Sequence, residues 1–368
     1  MAIGIGGAGS KLAAKLDSKA ILVNVSETEL NKVPGGAERI LATVRAEHGQ
    51  FRGSRKNPEI GRDAYLSNRR ELRDKIKGQM IFCSTGGGTG NGITSGILQD
   101  ISELNNVEIA DKTFFAFVLP YARLESSEYV DNTIAFLTGP VSKAIDSGNT
   151  GNMVLFSNRR KFEEKISEDA YNTMLVDSLK TFLAIPDKND LFKLLDGHID
   201  HEDFTLFLSK PYFNHFTYFD YDEGKPFGEQ LANACNPFLL PPEAAIEAMF
   251  LVEVPKGGDP TMFYPILEYF NSIHVSPVYS VVENPDLLKP FVTVSVLYSR
   301  KPEELVEDFK RTSEEHIQAK VKKTIEQSNV LQPLRVNLED EAKRAYQQNG
   351  GNAAEEDILA TLRRLGKL

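Results

Sequence analysis

The sequence predicts an α/β protein. A Rossmann-like parallel-sheet domain is joined by a long central helix to a smaller mixed-sheet α/β domain, and a C-terminal helix and tail follow. Three observations predict it. Short apolar strands alternate with helical stretches through the first third of the chain, the pattern of a parallel sheet covered on both faces. Two glycine-rich loops, Gly4–Gly9 and Gly86–Gly92, each lie between an apolar run and a helical one. A single long helical stripe then occupies the middle of the sequence.

The elements follow in order. Ala2–Ile5, Ala20–Val25, Met80–Cys83, Thr113–Leu119 and Met153–Phe156 are the expected strands of the first domain, with helices at Lys11–Leu16, Arg62–Lys77 and Ile93–Ile101. Ser167–Ala184 carries Ala170, Met174, Leu175, Leu179, Phe182 and Leu183 at helical spacing, with Ser167 as its N-cap and an acidic first turn. Beyond it, Phe204–Leu208, Phe213–Phe219, Met249–Val254, Val278–Val282 and Val292–Tyr298 read as strands. Pro241–Ala248 and Thr261–Phe270 read as helices between them. Residues 302–328 read as a long polar helix with a narrow apolar stripe that includes Phe309 and Ile317. Gln347–Asn352 has linker composition, and Glu355–Leu368 repeats Ile358, Leu359, Leu362 and Leu365 at helical spacing. The expected divisions are 1–166, 167–204, 205–300, 301–332 and 333–368.

Composition narrows the function. The chain has 368 residues, 41% of them hydrophobic, enough for a sizeable core. No apolar run approaches the ~18 residues of a membrane span, and no charged segment followed by an apolar one marks a secretion signal. A net charge of −10 argues against direct nucleic-acid binding by the surface as a whole. Cys83 and Cys235 are the only cysteines, so no disulfide framework exists and a reducing cytoplasm is expected. Cys83 falls in a core strand, where it serves as a small hydrophobe.

The glycine loops carry the chemistry. A tight glycine loop between a strand and a helix turns backbone N–H groups and the positive helix end toward an anion, with phosphate the natural guest. Gly4, Gly6 and Gly9 fit the dinucleotide fingerprint, but Asn24 stands at the end of the next strand where that fingerprint uses an acid. Neither loop ends in Gly-Lys-Ser/Thr, so this is not a Walker A site. A Rossmann-type NAD(P)-dependent oxidoreductase is the alternative from another functional class. A second glycine loop, able to share one polyphosphate with the first, argues against it.

Gly4–Gly9, Asn24, Asn57-Pro58-Glu59-Ile60-Gly61-Arg62 and Gly86–Gly92 together resemble the tubulin/FtsZ superfamily of filament-forming GTPases. The Gly-Gly-Gly-Thr-Gly-x-Gly motif is that superfamily's signature. The resemblance spans residues 1–300 in order, and the diverged middle, long helix and tail look most like the TubZ-type plasmid and phage tubulins. It implies GTP and GDP as ligands, Mg²⁺ as cofactor, a bacterial cytoplasmic location and a role in plasmid or phage DNA segregation.

Carried over by position, the resemblance sets Gly6, Gly7 and Ala8 against the α/β-phosphates, and Gly87, Gly88, Thr89 and Gly90, with Asn91 beside them, around the β/γ-phosphates. The loop ending in Asn57 approaches the γ-phosphate. Here Arg52, Gly53, Ser54, Arg55 and Lys56 are basic where the family has small residues. Either Arg55 or Lys56 pairs with phosphate, or the loop is simply solvated. Glu125 or Glu128, after Pro120-Tyr121, meets the ribose, Asn158, Tyr171 and Asn172 surround the guanine base, and Asn24 is a further nucleotide-binding position. Asp200 and Asp203 match the loop whose carboxylates orient the attacking water, with His198 where Asn is usual. In the family that loop acts on the next subunit, so the expected partner is a second copy in a head-to-tail homopolymer and the GTPase is activated by polymerisation. Without the resemblance, Asp200, Glu202 and Asp203 could bind a cation or orient a water, but a loop of solvated charges is the preferred reading. The tail reads as a docking helix for a DNA-bound adaptor or as a disordered end.

Overall fold

The strand Ala2–Ile5 (β1) is buried along its whole length, and the sheet extends from it in both directions. The computed structural model describes residues 1–46, 49–50, 53–240, 242, 244–299, 309–312, 314–319 and 321–323. The further strands are Ile21–Asn24 (β2), Glu38–Leu41 (β3), Arg45–Ala46 (β4), Gly49–Gln50 (β5), Met80–Ser84 (β6), Phe114–Leu119 (β7), Met153–Ser157 (β8), Lys193–Gly197 (β9), Phe213–Asp220 (β10), Ala245–Val254 (β11), Val278–Glu283 (β12) and Phe291–Tyr298 (β13). The α-helices are Gly6–Leu16 (α1), Glu27–Lys32 (α2), Pro58–Ile76 (α3), Gly88–Ser102 (α4), Ser127–Phe136 (α5), Ser142–Ser147 (α6), Arg159–Glu163 (α7), Glu168–Leu183 (α8), Ile185–Leu191 (α9), His201–Leu208 (α10), Phe227–Asn233 (α11) and Tyr264–Ser272 (α12). Residues Met1–Ser313 form one compact unit and Glu314–Leu368 a second. The described part of the second unit is helical.

All strands but β4 and β5 join one 11-stranded sheet in the order β3-β2-β1-β6-β7-β8-β10-β13-β11-β12-β9. Every pairing from β3 to β10 is parallel. β13 then runs antiparallel to both β10 and β11, so the expected parallel and mixed regions are two parts of one continuous sheet. Strand order runs outward from β1 on one side and from β6 on the other. The topological switch point therefore lies between these two strands, where open α/β sheets bind ligands at their carboxyl ends.

Alternation along the strands sorts the core into two layers. Phe114, Ala116 and Val118 of β7 join the cluster beneath α1 and α8, while Phe115, Phe117 and Leu119 join the one beneath α3 and α4. A strand buried on both faces reads as a continuous apolar run, as β7 does. In α8 the buried stripe is Tyr171, Leu175, Val176, Leu179 and Phe182, and the Phe182 ring stacks on Phe216 with centroids 4.9 Å apart. Ala170 and Met174, expected on that stripe, are exposed. Ser167 caps α8 as expected, accepting from the Ala170 N–H. A third cluster, built from Phe250, Val252, Ile266, Phe270 and Val281, underlies the far end of the sheet. Cys83 lies wholly within the second layer, and burial pushes its thiol up to about 12.

Two elements differ from the sequence reading. Phe204–Leu208 is not a strand but the body of α10. Asp200 Oδ1 accepts the N–H groups of Glu202 and Asp203, both at 2.8 Å, and Phe204 and Phe207 share one buried face. The cap and the i, i+3 pair outweigh the β-propensity of the apolar run. Residues 245–248, expected in a helix, form the start of β11, where β13 supplies a pairing partner, with a bulge between Ala245 and Glu247. The expected helix over 302–328 is described only at 309–312, 314–319 and 321–323, all helical. Pro241 and the expected tail over 333–368 lie outside the described residues.

Glycines set the spacing of α3 and α4. A Cβ on Gly92 would lie 2.0 Å from the Pro58 carbonyl oxygen, and one on Gly61 would lie 2.5 Å from that of Gly88. Gly92→Ala is expected to destabilise the protein by about 1–3 kcal/mol or more through overpacking. Gly139→Ala, with nothing within 4 Å of the new atom, should change stability by less than about 1 kcal/mol; thermal unfolding of the two variants checks the contrast. A second prediction concerns His215. Its Nδ1 bonds the Leu240 carbonyl at 2.9 Å, and its Nε2 accepts the Asn236 N–H at 3.3 Å. Burial lowers its pKa from 6.5 to about 4. The folded value lies below the unfolded one, so the stability due to neutral His215 is complete above pH 6.5 and is lost as pH falls toward about 4. The melting temperature should fall through that window, and His215→Asn should flatten the decline. An unchanged slope would remove His215 as its cause.

Candidate functional site

β1 and β6 pair in register from Ala2↔Met80 to Ile5↔Cys83, so both chains leave the sheet at one edge. α1 begins at once with Gly6, and α4 begins with Gly88 after a short turn. The glycine loops are thus themselves the first turns of the helices, which start earlier than periodicity indicates. Gly6, at φ +73°, approaches so closely that a Cβ there would lie 3.0 Å from the Gly90 nitrogen. Neither helix has a side-chain N-cap or an acidic residue in its first turn. Their leading N–H groups remain available to an anion, and both dipoles favour one.

A cavity of about 490 Å³ opens where these helix ends meet. Of the residues singled out in the sequence, Gly6, Gly7, Ala8, Gly87, Gly88, Thr89, Gly90, Glu125, Asn158 and Asn172 line it, as do Arg55 and Lys56. Glu125 is well held, its Oε2 accepting from the Tyr121 N–H at 2.6 Å and from Asn158 Nδ2 at 3.1 Å. Glu128, the other carboxylate considered, is not part of the lining and instead sits 3.4 Å from Lys56 Nζ.

Four other expected residues stand behind the cavity wall. Asn24 is fully buried, and its Nδ2 donates to Glu29 Oε2 at 3.1 Å. Asn57 caps α3 by accepting the Glu59 N–H at 2.9 Å. Asn91 donates to the carbonyls of Thr85 and Asn132, fixing the turn before α4 against α5. Tyr171 is buried edge-on to Phe238 and donates its hydroxyl to the Ser157 carbonyl; burial raises its pKa. Asn172, its neighbour, is the one that faces the cavity.

Asp200 and Asp203 lie outside this cavity, at the N-terminus of α10. Beside them His201 Nε2 is 3.6 Å from Asp187 and 3.5 Å from Asp190. Among the described residues no group of three or more His, Cys, Asp or Glu side chains is arranged to hold a metal ion.

Sequence reasoning passed over Glu29, Lys161 and Glu168, which also line the cavity. Glu29 is the last residue of a Ser-x-x-Glu capping box, and Ser26 Oγ accepts its N–H at 3.4 Å. Its carboxylate does not complete the box but turns toward Asn24 and Gly7. Glu168 pairs with Lys11 at 2.8 Å, and Asp169 with Lys15 at 2.8 Å, tying α8 to α1.

This architecture is the tubulin/FtsZ fold. The TubZ of Bacillus thuringiensis serovar israelensis, solved as a GTPγS-form protofilament, superimposes with a TM-score of 0.68 at 15% identity, covering 87% of this chain and 93% of that one. CetZ from Methanosaeta thermophila gives 0.64 at 16% identity over 94% and 98%, and the M. jannaschii FtsZ gives 0.58 at 18% over 80% and 87%. In sequence the chain is 24% identical to the tubulin-like protein TubZ of Bacillus cereus over 239 residues, 57% of this chain and 52% of that one. It is 29% identical to cell division protein FtsZ 1 of Pyrococcus woesei over 136 residues, 34% of this chain and 36% of that one. The matched segments thus span about a third to a half of these relatives. No family model matches.

The resemblance to the tubulin/FtsZ superfamily therefore holds in fold and in sequence, with similarity that includes TubZ. Removal of the Glu125 carboxylate and of the Glu128 carboxylate should have unequal effects. On the expectation that the cavity takes a phosphorylated nucleoside, Glu125→Gln should weaken its binding by about tenfold, the loss of one charge-assisted hydrogen bond, and Glu128→Gln by less than about threefold. Equilibrium titration with fluorescent nucleotide decides it.

Proposed function

We propose that this protein binds GTP, assembles head to tail into filaments and hydrolyses GTP at a site completed by the next subunit. The observation that carries the reading is the convergence of two uncapped helix N-termini on one cavity at the switch point of the sheet. One polyphosphate spans both helix ends. Glu125, Asn158 and Asn172 then lie where ribose and base would follow, each offering a polar group to them. A dinucleotide-dependent oxidoreductase makes no use of the second glycine loop and would find Asn24 where it uses an acid.

The residues on hand divide the work. Main-chain N–H groups of the two glycine loops stabilise charge on the phosphates, the principal demand of phosphoryl transfer. Mg²⁺, when bound, supplies further compensation of that charge. Glu29 is the carboxylate that would hold it, since an anionic group beside Gly7 repels phosphate unless a cation lies between. A water must also be positioned for attack, and Glu125, one of the lining carboxylates, already accepts two hydrogen bonds from its own subunit. Asp200 and Asp203, outside their own cavity, are the carboxylates we assign to the cavity of a neighbour. Each subunit then offers a cavity at one end and the α10 carboxylates at the other, a heterologous contact that propagates as a filament.

Similarity to TubZ further supports a cytoplasmic role in plasmid or phage DNA segregation, with the C-terminal tail docking a DNA-bound adaptor. That tail lies outside the described residues. Among the described residues no helix is long and apolar enough to cross a membrane.

Light scattering on addition of GTP with Mg²⁺ tests binding and assembly together, with ATP and NAD(P) as controls. The rate of phosphate release per subunit should climb with protein concentration, and a rate that stays constant down to high dilution would sink the reading. Asp200→Asn retains the α10 cap while removing the charge. It should fold normally, form stable filaments and lose about a hundredfold or more in turnover.

A further inference from the structure

One loop at the phosphate end of the cavity has a costly backbone. Arg55 and Lys56 both have positive φ, 50° and 62°, a conformation in which residues with side chains persist only where the surroundings hold them. Here the surroundings are the α4 glycine turn and α5. Ser54 Oγ lies 3.1 Å from Thr89 Oγ1, and a Cβ on Gly88 would lie 2.5 Å from the same Ser54 oxygen. The loop is thus packed directly on the α4 glycine turn. On its other side Asn132 Nδ2 donates to the Lys56 carbonyl at 2.9 Å. The Lys56 ammonium sits 3.4 Å from Glu128 and 4.8 Å from the centre of the Tyr129 ring. Tyr129 in turn abuts Gly86, where a Cβ would fall 2.7 Å from the tyrosine Cβ. Loop, glycine turn and α5 form one block.

These contacts treat the two basic residues differently. Lys56 is committed to α5. Arg55 lines the cavity, is exposed, and has no ion-pair partner among the described residues. We propose that Arg55 reads the terminal phosphate of the bound nucleoside triphosphate, a cation supplied by the same subunit whose nucleotide it contacts. The proposal rests on the GTP-binding reading. Its logic is electrostatic. Glu29 occupies the Gly7 side of the phosphate cradle, and Arg55 belongs to the Gly88–Thr89 side. A guanidinium matches a phosphate through two parallel hydrogen bonds and keeps its charge at any working pH. The diphosphate lacks the group that Arg55 contacts. The strained turn holds the guanidinium's stem at the cavity rim, while Lys56 anchors that turn so that the two neighbours act as anchor and reader.

The test uses the full-length protein at concentrations too low for assembly, with fluorescent GTPγS and GDP titrated in parallel. Arg55→Asn removes the charge but tolerates positive φ. It should weaken GTPγS binding by about tenfold or more while GDP binding changes by less than about twofold. Arg55→Lys should recover part of the loss, and the salt dependence of GTPγS binding should be shallower in Arg55→Asn than in wild type. Equal weakening of both nucleotides would mean that Arg55 only shapes the loop, and it would overturn the proposal. So would unchanged affinity for both. A wild-type protein that binds neither nucleotide would overturn the GTP reading itself, a result distinct from either.

Discussion

The structure depends on a contact between two stretches of main chain. Gly6 of the first loop and Gly90 of the second meet with no side chain between them, and they do so because β1 and β6 are adjacent parallel strands that end together. Close backbone approach is the condition for two helix dipoles to act on one anion. It recurs one layer out, where Gly9 packs so near β6 that a Cβ would lie 2.1 Å from the Phe82 carbonyl. Gly61 and Gly92 then bring α3 against α4. The glycines of the second loop thus divide their duties. Gly87, Gly88 and Gly90 face the cavity, and Gly92 serves helix packing.

From this centre the fold passes its geometry outward through charged and polar links. Lys11 and Lys15 on α1 reach Glu168 and Asp169 at the start of α8, so the helix that begins at the first glycine loop is fastened to the helix that crosses to the rest of the sheet. At the other end of that crossing, Lys188 on α9 pairs with the buried Glu253 of β11, and Asn284 donates to the second oxygen of the same carboxylate at 2.7 Å. A charge so deeply enclosed needs this full set of partners. Surface ion pairs are worth little singly, but the pairs between α1 and α8 act together with the packing of Tyr171 and Leu175 beneath them.

The sequence made the frame legible because the frame rests on strong local signals. Five parallel strands, two glycine turns and a long capped helix each carry a periodicity or a motif that one segment can display. Failures occurred where a helix cap or a distant partner outweighed the local propensity. Phe204–Leu208 is rich in β-formers, yet Asp200 and a buried Phe pair make it a helix. Residues 245–248 gain strand geometry only by pairing with β13. The same limit applies to the site. Asn91, Tyr171 and Asn57 sit within the right motifs, and only packing shows that they brace the wall while Asn172 and Glu125 face inward. Glu29 was hidden by a capping box that its side chain does not complete, and no spacing rule reveals that a carboxylate has turned away from its own helix.

One end of the cavity is built of main chain and the other of side chains, and the two ends have unequal capacity for change. At Gly6, Gly88 and Gly90 an added side chain would press on backbone, so inheritance at those positions is close to all or nothing. Around Asn158, Lys161 and Asn172, substitutions alter hydrogen-bonding groups without disturbing the sheet. Selection for a different ligand, or for escape from a small molecule lodged in the cavity, would therefore leave its record around α7 and α8 and almost none on the glycine turns.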